Sequence, residues 1–407
     1  MNTTKGTKML IKRNPESRAS AAVNIDPTST GASLTGLGRR LFFKRLGWGG
    51  TALLPAGVLL ASRTWARAEH DGGDNKKDDH GGNNPGRDDR GRKDLTRGDV
   101  AILRFLAAAE ILETDLWQQY NELALGNAAF QDALQQLDGD MPTYVNQNTR
   151  DEFSHQDFLN AYLISKGQKS VDLEPFRTLP RSQATGANKT AKRLTNLMNL
   201  TVDTSWYTRY RSEGNPDFGD TFQQIVNLVN VPAIPNSDLP LKSDAIQLIA
   251  NTAGFHFATI EQGGSSLYDS FLSKANSREV IRIVAAIGGT EIQHFEIWQD
   301  KAGNAPPVPL ATGALFPQLP IAPGQTPSGV DAAGPMDTNQ VMARPCTFIS
   351  KDLPLCSVIR PTLTANAGAM AAAKGLTASG LFQGQSNAFF AALTELANEA
   401  DMADFEG

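Results

Sequence analysis

Residues 150–163 read RDEFSHQDFLNAYL and residues 285–298 read AAIGGTEIQHFEIW. Each stretch carries a Glu-x-x-His motif, EFSH at 152–155 and EIQH at 291–294. Residues three apart on an α-helix lie one above the other on the same face, so the Glu and the His of one motif can bind one metal ion together. The alternative is two surface helices on which Glu and His merely interact with each other.

Each motif follows a helical stretch with a lone glutamate, Glu110 before the first motif and Glu261 before the second. Four such helices could bring four carboxylates and two imidazoles together in the core of one helix bundle, a ligand set that holds two metal ions in known proteins. The predicted metal ligands are Glu110, Glu152, His155, Glu261, Glu291 and His294.

At these residues the chain resembles the bacterial ferritin-like proteins, in particular the exported branch that includes the desiccation-related proteins. The resemblance covers residues 99–165 and 245–302, and its first helix is DVAILRFLAAAEILETDLW (99–117). Tyr268 stands seven residues after Glu261, a spacing common in ferritin-like helices. The resemblance implies an all-α fold: a ferritin-like four-helix bundle with a long crossover between helices 2 and 3 and an irregular C-terminal extension.

The ligand from the first helix has two candidates. The resemblance favours Glu110, but Trp117 rather than a tyrosine stands seven residues after it. Glu113 has Tyr120 at that spacing and is therefore the alternative ligand. Trp117 and Tyr268 are predicted to lie near the metals, where they would relay an electron or fill the core.

The motifs also suggest roles for the ligands. Glu152 and Glu291 are predicted to bridge the two ions, because each belongs to a Glu-x-x-His motif, and the other glutamates are then terminal ligands. A ligating imidazole usually donates its second N–H to an acceptor, and Asp151 is the candidate acceptor for His294. Tyr268 is a further candidate neighbour of the ligands. His256 lies on a different side of its helix from Glu261 and is not predicted to be a ligand.

Carboxylates together with imidazoles suit iron, manganese or zinc. Two metal ions are expected, with iron favoured and manganese as the alternative, and such a pair can react with O2 or peroxide. The sequence leaves open whether the protein is a di-metal oxidoreductase or a metal-holding, desiccation- or stress-protective scaffold without turnover. It does not predict a substrate, a flavin, haem or nucleotide cofactor, or an oligomeric state.

Charge is distributed unevenly along the 407 residues. Residues 1–68 hold eleven of the 38 basic and two of the 43 acidic residues, which leaves a formal charge of −14 for residues 69–407. So acidic a chain is not expected to bind nucleic acid. Its 40% hydrophobic residues predict a sizeable buried core.

The N-terminus resembles a twin-arginine export signal. Arg39 and Arg40 open RRLFFK (39–44), an apolar stretch follows at 46–61, and Ala66-Arg67-Ala68 offers a cleavage site. The apolar stretch is short and interrupted by Gly and Pro, so no stable membrane span is predicted for the mature chain. The predicted partner is the export machinery and the predicted location is periplasmic or extracellular. A basic disordered tail and an uncleaved anchor are the alternatives.

The predicted organisation has four parts. They are the twin-arginine signal region (1–68), a disordered charged linker (69–98), the four-helix bundle (99–303) and a Pro/Gly-rich extension with a C-terminal helix (304–407). Asp99 is expected to cap the first helix. Two further helices are expected in the crossover, near 187–212 and near 217–229.

The two cysteines, Cys346 and Cys356, both lie in the extension. Outside the cytosol they can close a small disulfide loop, and the alternative is two free thiols. Neither is predicted to be a metal ligand.

Replacement of both Arg39 and Arg40 by Lys should keep the protein in the cytosol, because the twin-arginine receptor recognises the guanidinium pair. Immunoblots of fractionated cells would measure the exported share. Arg13→Lys together with Arg18→Lys is the matched control and should leave export unchanged. Normal export of the first double variant would show that the signal has been misread.

Overall fold

A computed structural model describes residues 95–209, 224–310, 316, 345–358 and 368–405 of the chain. The predicted signal region and nearly all of the predicted linker lie outside these residues. The described part is mostly helical, as expected for an all-α chain.

Four long helices carry the predicted ligands. They are α1 (Arg97–Gly126), α3 (Met141–Ser165), α5 (Asp244–Leu272) and α6 (Arg278–Ala302). The most extensive contacts join α1 to α3 and α5 to α6. Ser243 and Ser277 cap α5 and α6, because each side-chain oxygen accepts a backbone N–H of the first helical turn.

The start of α1 differs from the sequence-based expectation. Thr96 caps the helix, and its hydroxyl oxygen accepts the Asp99 N–H at 3.0 Å. Asp99 is instead fully buried, and its carboxylate accepts the backbone N–H groups of Asn276 and Ser277 at 2.8 and 3.0 Å. It thereby joins the start of α1 to the start of α6.

Shorter elements complete the described chain. They are α2 (Ala128–Gln135), a 3-10 helix (Glu174–Phe176), β1 (Leu200–Val202), α4 (Trp206–Arg209), β2 (Leu228–Val231), β3 (Pro345–Cys346), β4 (Cys356–Ser357), α7 (Ala369–Ala378) and α8 (Asn387–Asp401). The antiparallel pairs are β1 with β2 and β3 with β4.

The crossover between α3 and α5 is less helical than predicted. The expected helix near 187–212 is wrong over most of its length, since only α4 is helical there, and residues 224–229 of the second expected helix are not helical either. The remainder of both expected helices, 210–223, lies outside the described residues. Tertiary hydrogen bonds explain the difference: Asp115 of α1 accepts the backbone N–H groups of Leu194 and Thr195 at 3.0 and 2.9 Å.

The extension contains more helix than expected. The C-terminal helix predicted over 386–402 is present as α8, but α7 falls in a stretch expected to be irregular. Asp401, at the end of α8, accepts the N–H groups of Ala369 and Met370 at 2.8 and 2.9 Å and so holds the start of α7. Helix α8 packs on α1, and α7 packs on α8 and α5.

Aromatic side chains fill the core between the long helices. The rings of Trp117 and Trp298 stack with centroids 5.5 Å apart, and Phe257 lies within 4.9 Å of both. Tyr120 meets Phe257 edge to face at 4.6 Å. These residues are all buried, so this layer excludes water from the interior. Of the helices described, none is both long enough and apolar enough to cross a bilayer.

Asp115→Ala should destabilise the fold by about 3 kcal/mol, because it leaves buried donors of the crossover and the Arg177 guanidinium without their shared acceptor. Chemical denaturation would measure the free energy of unfolding. Asp157→Ala removes a carboxylate from an exposed position of α3 and is the matched control. Equal stability of the two variants would contradict the anchoring role of Asp115.

Candidate metal centre

The six predicted ligands converge in the interior. Their carboxylate and imidazole atoms form two groups, and within each group the candidate ligand atoms all lie within 4.8 Å of one another. Glu152, Glu261 and Glu291 have no solvent exposure, and the other three side chains are also buried. The groups are Glu110, Glu152, His155 and Glu291 in one, and Glu152, Glu261, Glu291 and His294 in the other. Glu152 and Glu291, the predicted bridges, belong to both.

The first group is centred on the imidazole of His155. Its Nδ1 lies 3.0 Å from Glu152 Oε2, one helical turn earlier on α3. The same nitrogen lies 3.4 Å from Glu110 Oε2 of α1 and 3.4 Å from Glu291 Oε1 of α6. One histidine therefore faces carboxylates from three helices.

The second group is centred on His294. Its Nδ1 lies 3.2 Å from both Glu152 Oε1 and Glu261 Oε2. Its other nitrogen, Nε2, lies 3.1 Å from Asp151 Oδ2. The predicted Asp151–His294 contact is thus present, and it leaves Nδ1 as the nitrogen that faces the carboxylates. The rings of His294 and His155 lie 6.3 Å apart, one on each group.

Asn148 is a site residue that the sequence reasoning missed. Its Nδ2 donates to Glu152 Oε1 at 2.6 Å and to Glu261 Oε1 at 2.9 Å. Its Oδ1 accepts the Trp298 indole N–H at 2.8 Å. Asn148 therefore positions one carboxylate from each of two helices. Its place four residues before Glu152, on the same helical face, was the available signal.

Tyr268 and two glycines shape the Glu110 and Glu291 side of the site. The Tyr268 hydroxyl donates to Glu110 Oε1. Gly288 makes room for this tyrosine, because a Cβ there would lie 2.8 Å from Tyr268 Cβ. A Cβ at Gly264 would lie 2.5 Å from Glu291 Oε2. The close approach of these helices thus requires glycine at both positions.

The remaining candidates lie outside the two groups. Glu113, the alternative ligand from α1, belongs to neither group and borders an apolar cavity. Trp117 packs in the aromatic layer. His256 Nδ1 lies 2.8 Å from the Tyr120 hydroxyl, and burial lowers its pKa to about 3, so it is neutral. It belongs to neither ligand group.

Burial dominates the electrostatics of the glutamates. Burial and the charge of Glu261 raise the pKa of Glu152 to about 7, against hydrogen bonds with His155 and His294 that lower it. Burial, followed by the charges of Glu152, Glu261 and Glu110, holds the pKa of Glu291 well above its usual range. Burial and the Glu110 charge do the same for Glu113. Without a cation, Glu152, Glu291 and Glu113 therefore hold protons more tightly than exposed carboxylates do.

The histidines respond in the opposite way to burial. Burial alone would lower the pKa of His155, but its contacts with Glu110 and Glu152 outweigh this and raise it to about 10. The pKa of His294 also lies well above its usual range, because Glu261, Asp151 and Glu152 outweigh the effect of burial. A positive charge, from a proton or from a metal ion, is thus favoured at both imidazoles.

Three oxygens of the cluster make no hydrogen bond of good geometry among the described residues, although two of them lie 3.4 Å from His155 Nδ1. They are Glu110 Oε2 and both carboxylate oxygens of Glu291, all buried. Buried polar atoms are nearly always satisfied in native proteins, so an orphaned group needs an explanation. Oxygens that face two imidazoles and other carboxylates are suited to bind cations.

A polar pocket adjoins the second group. Asn148, Asp151, His294 and Gln293 contribute to its lining. Asp151 is half exposed, with 52% of its side-chain surface accessible. His294 is therefore reached from solvent along polar side chains.

The cysteines lie apart from this chemistry. Cys346 and Cys356 face each other across the β3–β4 pair and are free thiols, with Cys346 Sγ 3.6 Å from the Cys356 carbonyl oxygen. Neither belongs to the two ligand groups.

No protein-family model, curated protein or solved structure matches the chain. The geometry of the buried cluster therefore carries the functional argument.

The metal-free protein should lose stability as the pH rises. A group whose pKa is higher in the folded than in the unfolded state stabilises the fold at low pH, and that stabilisation is lost as the pH rises through the folded-state value. This applies to Glu152, from 4.5 to about 7, and to His155, from 6.5 to about 10. His256 acts in the opposite sense below pH 6.5, because its pKa is lowered to about 3, whereas the raised pKa values of Glu291 and Glu113 add to the fall. We therefore expect the net free energy of unfolding to fall over that range in a chelator-treated sample.

Glu152→Gln supplies the comparison for this pH series. A neutral amide at position 152 removes one buried carboxylate, so stability should depend less on pH between 4.5 and about 7. A metal-free wild-type protein whose stability is flat across this range would show that the carboxylates are solvated.

Proposed function

We propose that the chain is an exported ferritin-like protein whose four long helices form a four-helix bundle around two metal ions, with iron favoured and manganese as the alternative. The observation that carries the proposal is the sharing of Glu152 and Glu291 between the two ligand groups. A carboxylate offers two oxygens, so one that belongs to both groups can bridge two ions. Shared carboxylates favour a pair of neighbouring ions over a single ion.

Charge balance also supports two ions. The four glutamates of the cluster carry four negative charges when ionised, and two divalent cations supply four positive charges. Neutral imidazoles add donors without changing this balance. In the metal-free protein, protons on His155 and His294 offset part of this charge, since the raised pKa values of both imidazoles favour their charged forms. Metal ions would replace these protons and relieve the repulsion among the ionised carboxylates.

The donor types favour iron or manganese. Oxygen and imidazole donors suit these metals, whereas sites for softer ions use thiolates or thioethers. Neither Cys346 nor Cys356 is in the cluster. Glu110, His155, Glu261 and His294 would each bind one ion, and the orphaned oxygen of Glu110 and those of Glu291 would gain a cation as partner.

A pair of iron ions held in this way would supply the electrons that reduce O2 or peroxide. The chain's own residues orient the ligands. Asn148 holds Glu152 and Glu261 in place through its amide, and Tyr268 holds Glu110 through its hydroxyl. Asp151 fixes the ring of His294. Asn148 and Tyr268 are buried, so their contacts act in a medium of low dielectric constant, whereas Asp151 is half exposed.

Export fits this chemistry. The twin-arginine route moves folded proteins, so a buried site could be filled in the cytosol before transport to the periplasm or beyond. Affinity alone does not select iron or manganese over copper or zinc, so filling in a compartment with controlled metal availability matters. This supports reading the N-terminal signal and the cluster as parts of one function.

The test compares single histidine variants of the full chain. His155→Ala and His294→Ala should each lower the iron bound per chain, because each removes an imidazole that faces the carboxylates. The iron(II)-loaded wild type should consume O2 or peroxide, and both variants should do so more slowly. Elemental analysis and an oxygen electrode provide the two measurements.

His256→Ala is the matched control. It removes a buried histidine that contacts Tyr120 instead of the cluster, so stability should fall while iron content is kept. Equal iron loss from all three variants would show that the proposed set of ligands is wrong. Full iron loading without any consumption of O2 or peroxide would overturn the oxidoreductase function in favour of a metal-holding scaffold.

A further inference from the structure

A small apolar cavity lies between α1, α5 and the two C-terminal helices. It offers about 40 Å³ of space for the centre of a water-sized molecule. Leu112 and Leu116 of α1, Ala373 and Leu376 of α7, and Leu393 of α8 are among its walls. The ligand residues themselves come from α1, α3, α5 and α6, so α7 and α8 contribute to this cavity without contributing to the cluster.

The cavity borders the cluster directly. Gly264 of α5 lines it, and an added Cβ at Gly264 would lie 2.5 Å from Glu291 Oε2. The adjacent lining residue Gly263 also lacks a side chain. Glu113 lines the cavity one helical turn after Glu110. Gly264 thus lines the cavity and also touches Glu291, and Glu113 lines the cavity on the side of Glu110.

The size and the lining of the cavity define its ligand. Cavities need on the order of 10–15 Å³ to hold one water, and a dry apolar cavity of about 150 Å³ holds benzene. The observed space lies between these limits and suits a molecule of two or a few atoms. Glu113 and Thr259 are its polar lining residues, and the Thr259 hydroxyl already donates to backbone carbonyls. A water needs two to four polar partners and would depend on Glu113 and the Thr259 oxygen, whereas the remaining lining is apolar and favours an apolar molecule.

The contrast with the polar pocket strengthens this assignment. That pocket reaches the cluster at His294, and its lining combines amides and the carboxylate of Asp151 with Tyr144, Ile297 and Trp298. Cations and water are suited to the polar side, and an uncharged apolar reagent is suited to the side of Gly264. Metal ions and water would thus reach the cluster from the side of His294, and an apolar gas would reach it from the side of Gly264.

We propose that the cavity between α1, α5, α7 and α8 binds a small apolar molecule, and that its occupant beside an iron-loaded cluster is dioxygen. The identification of dioxygen rests on the proposed function, whereas the binding of a small apolar molecule rests on the cavity alone. The C-terminal helices accordingly form a gas-binding wall beside the carboxylates.

Xenon is the probe for the cavity, because it binds to dry apolar cavities and needs no metal. Crystals of the metal-free full chain under xenon pressure should show a xenon atom among Leu112, Leu116 and Leu393. Ala373→Val should remove that xenon, because the added methyl groups fill the space. Ala378→Val is the matched control, since it makes the same substitution at an exposed position of α7.

Leu393→Ala is a second test, in case Ala373→Val loses xenon only because that variant misfolds. It enlarges the cavity, so xenon occupancy should rise, and the circular dichroism of every variant would report its helix content. A wild-type cavity that stays free of xenon, or that contains ordered water, would overturn the proposal.

The proposal that dioxygen occupies the cavity is tested with the same variants after iron(II) loading. Ala373→Val should slow O2 consumption several-fold at unchanged iron content, and Ala378→Val should leave the rate unchanged. Equal rates in the two variants would overturn dioxygen as the occupant. A wild type that binds xenon but consumes no O2 would support the binding site while overturning the oxidoreductase function, so the two failures are distinguishable.

Discussion

The burial of four carboxylates in one place is the constraint on which the rest of the structure depends. An uncompensated buried charge costs several kcal/mol, and like charges at close range add to that cost. Hydrophobic side chains of similar volume in these positions would give a more stable helical core. The cluster of Glu110, Glu152, Glu261 and Glu291 is therefore not explained by stability. A cationic ligand would compensate the charge that protons on His155 and His294 leave uncompensated.

The surrounding structure accommodates the cluster by close fit and by directed donors. The side-chain amide of Asn148 donates to Glu152 and to Glu261, and its oxygen accepts the indole N–H of Trp298. The same Trp298 stacks on Trp117, so a chain of direct contacts joins the aromatic core to the carboxylate cluster through Asn148. A change in the aromatic layer would therefore move the ligands, even though no ring belongs to the ligand groups.

The sequence predicted the cluster better than the chain path between its helices. Ligands three residues apart share a helical face by local geometry alone, so Glu152 with His155 and Glu291 with His294 could be paired from the sequence. The crossover could not be predicted in this way, because its backbone bonds to Asp115, which lies about 80 residues earlier. Local propensity favoured helix there, and tertiary hydrogen bonds prevailed. The sequence pattern did not predict Asn148, because asparagine carries no charge and has no characteristic ligand spacing.

The helices beyond α6 lie beside the cluster without contributing a ligand to it. The ligands are complete without α7 and α8, yet α7 is held at its start by Asp401 and packs against α5 beside Gly264. Helices added only for stability would fill the space next to α5 with side chains, because closely packed interiors leave few voids. A void is left instead, at a point where α5 has no side chain to separate it from Glu291. The extension thus forms one wall of the cavity beside Gly264, while Asp151 and His294 line the pocket beside the second ligand group.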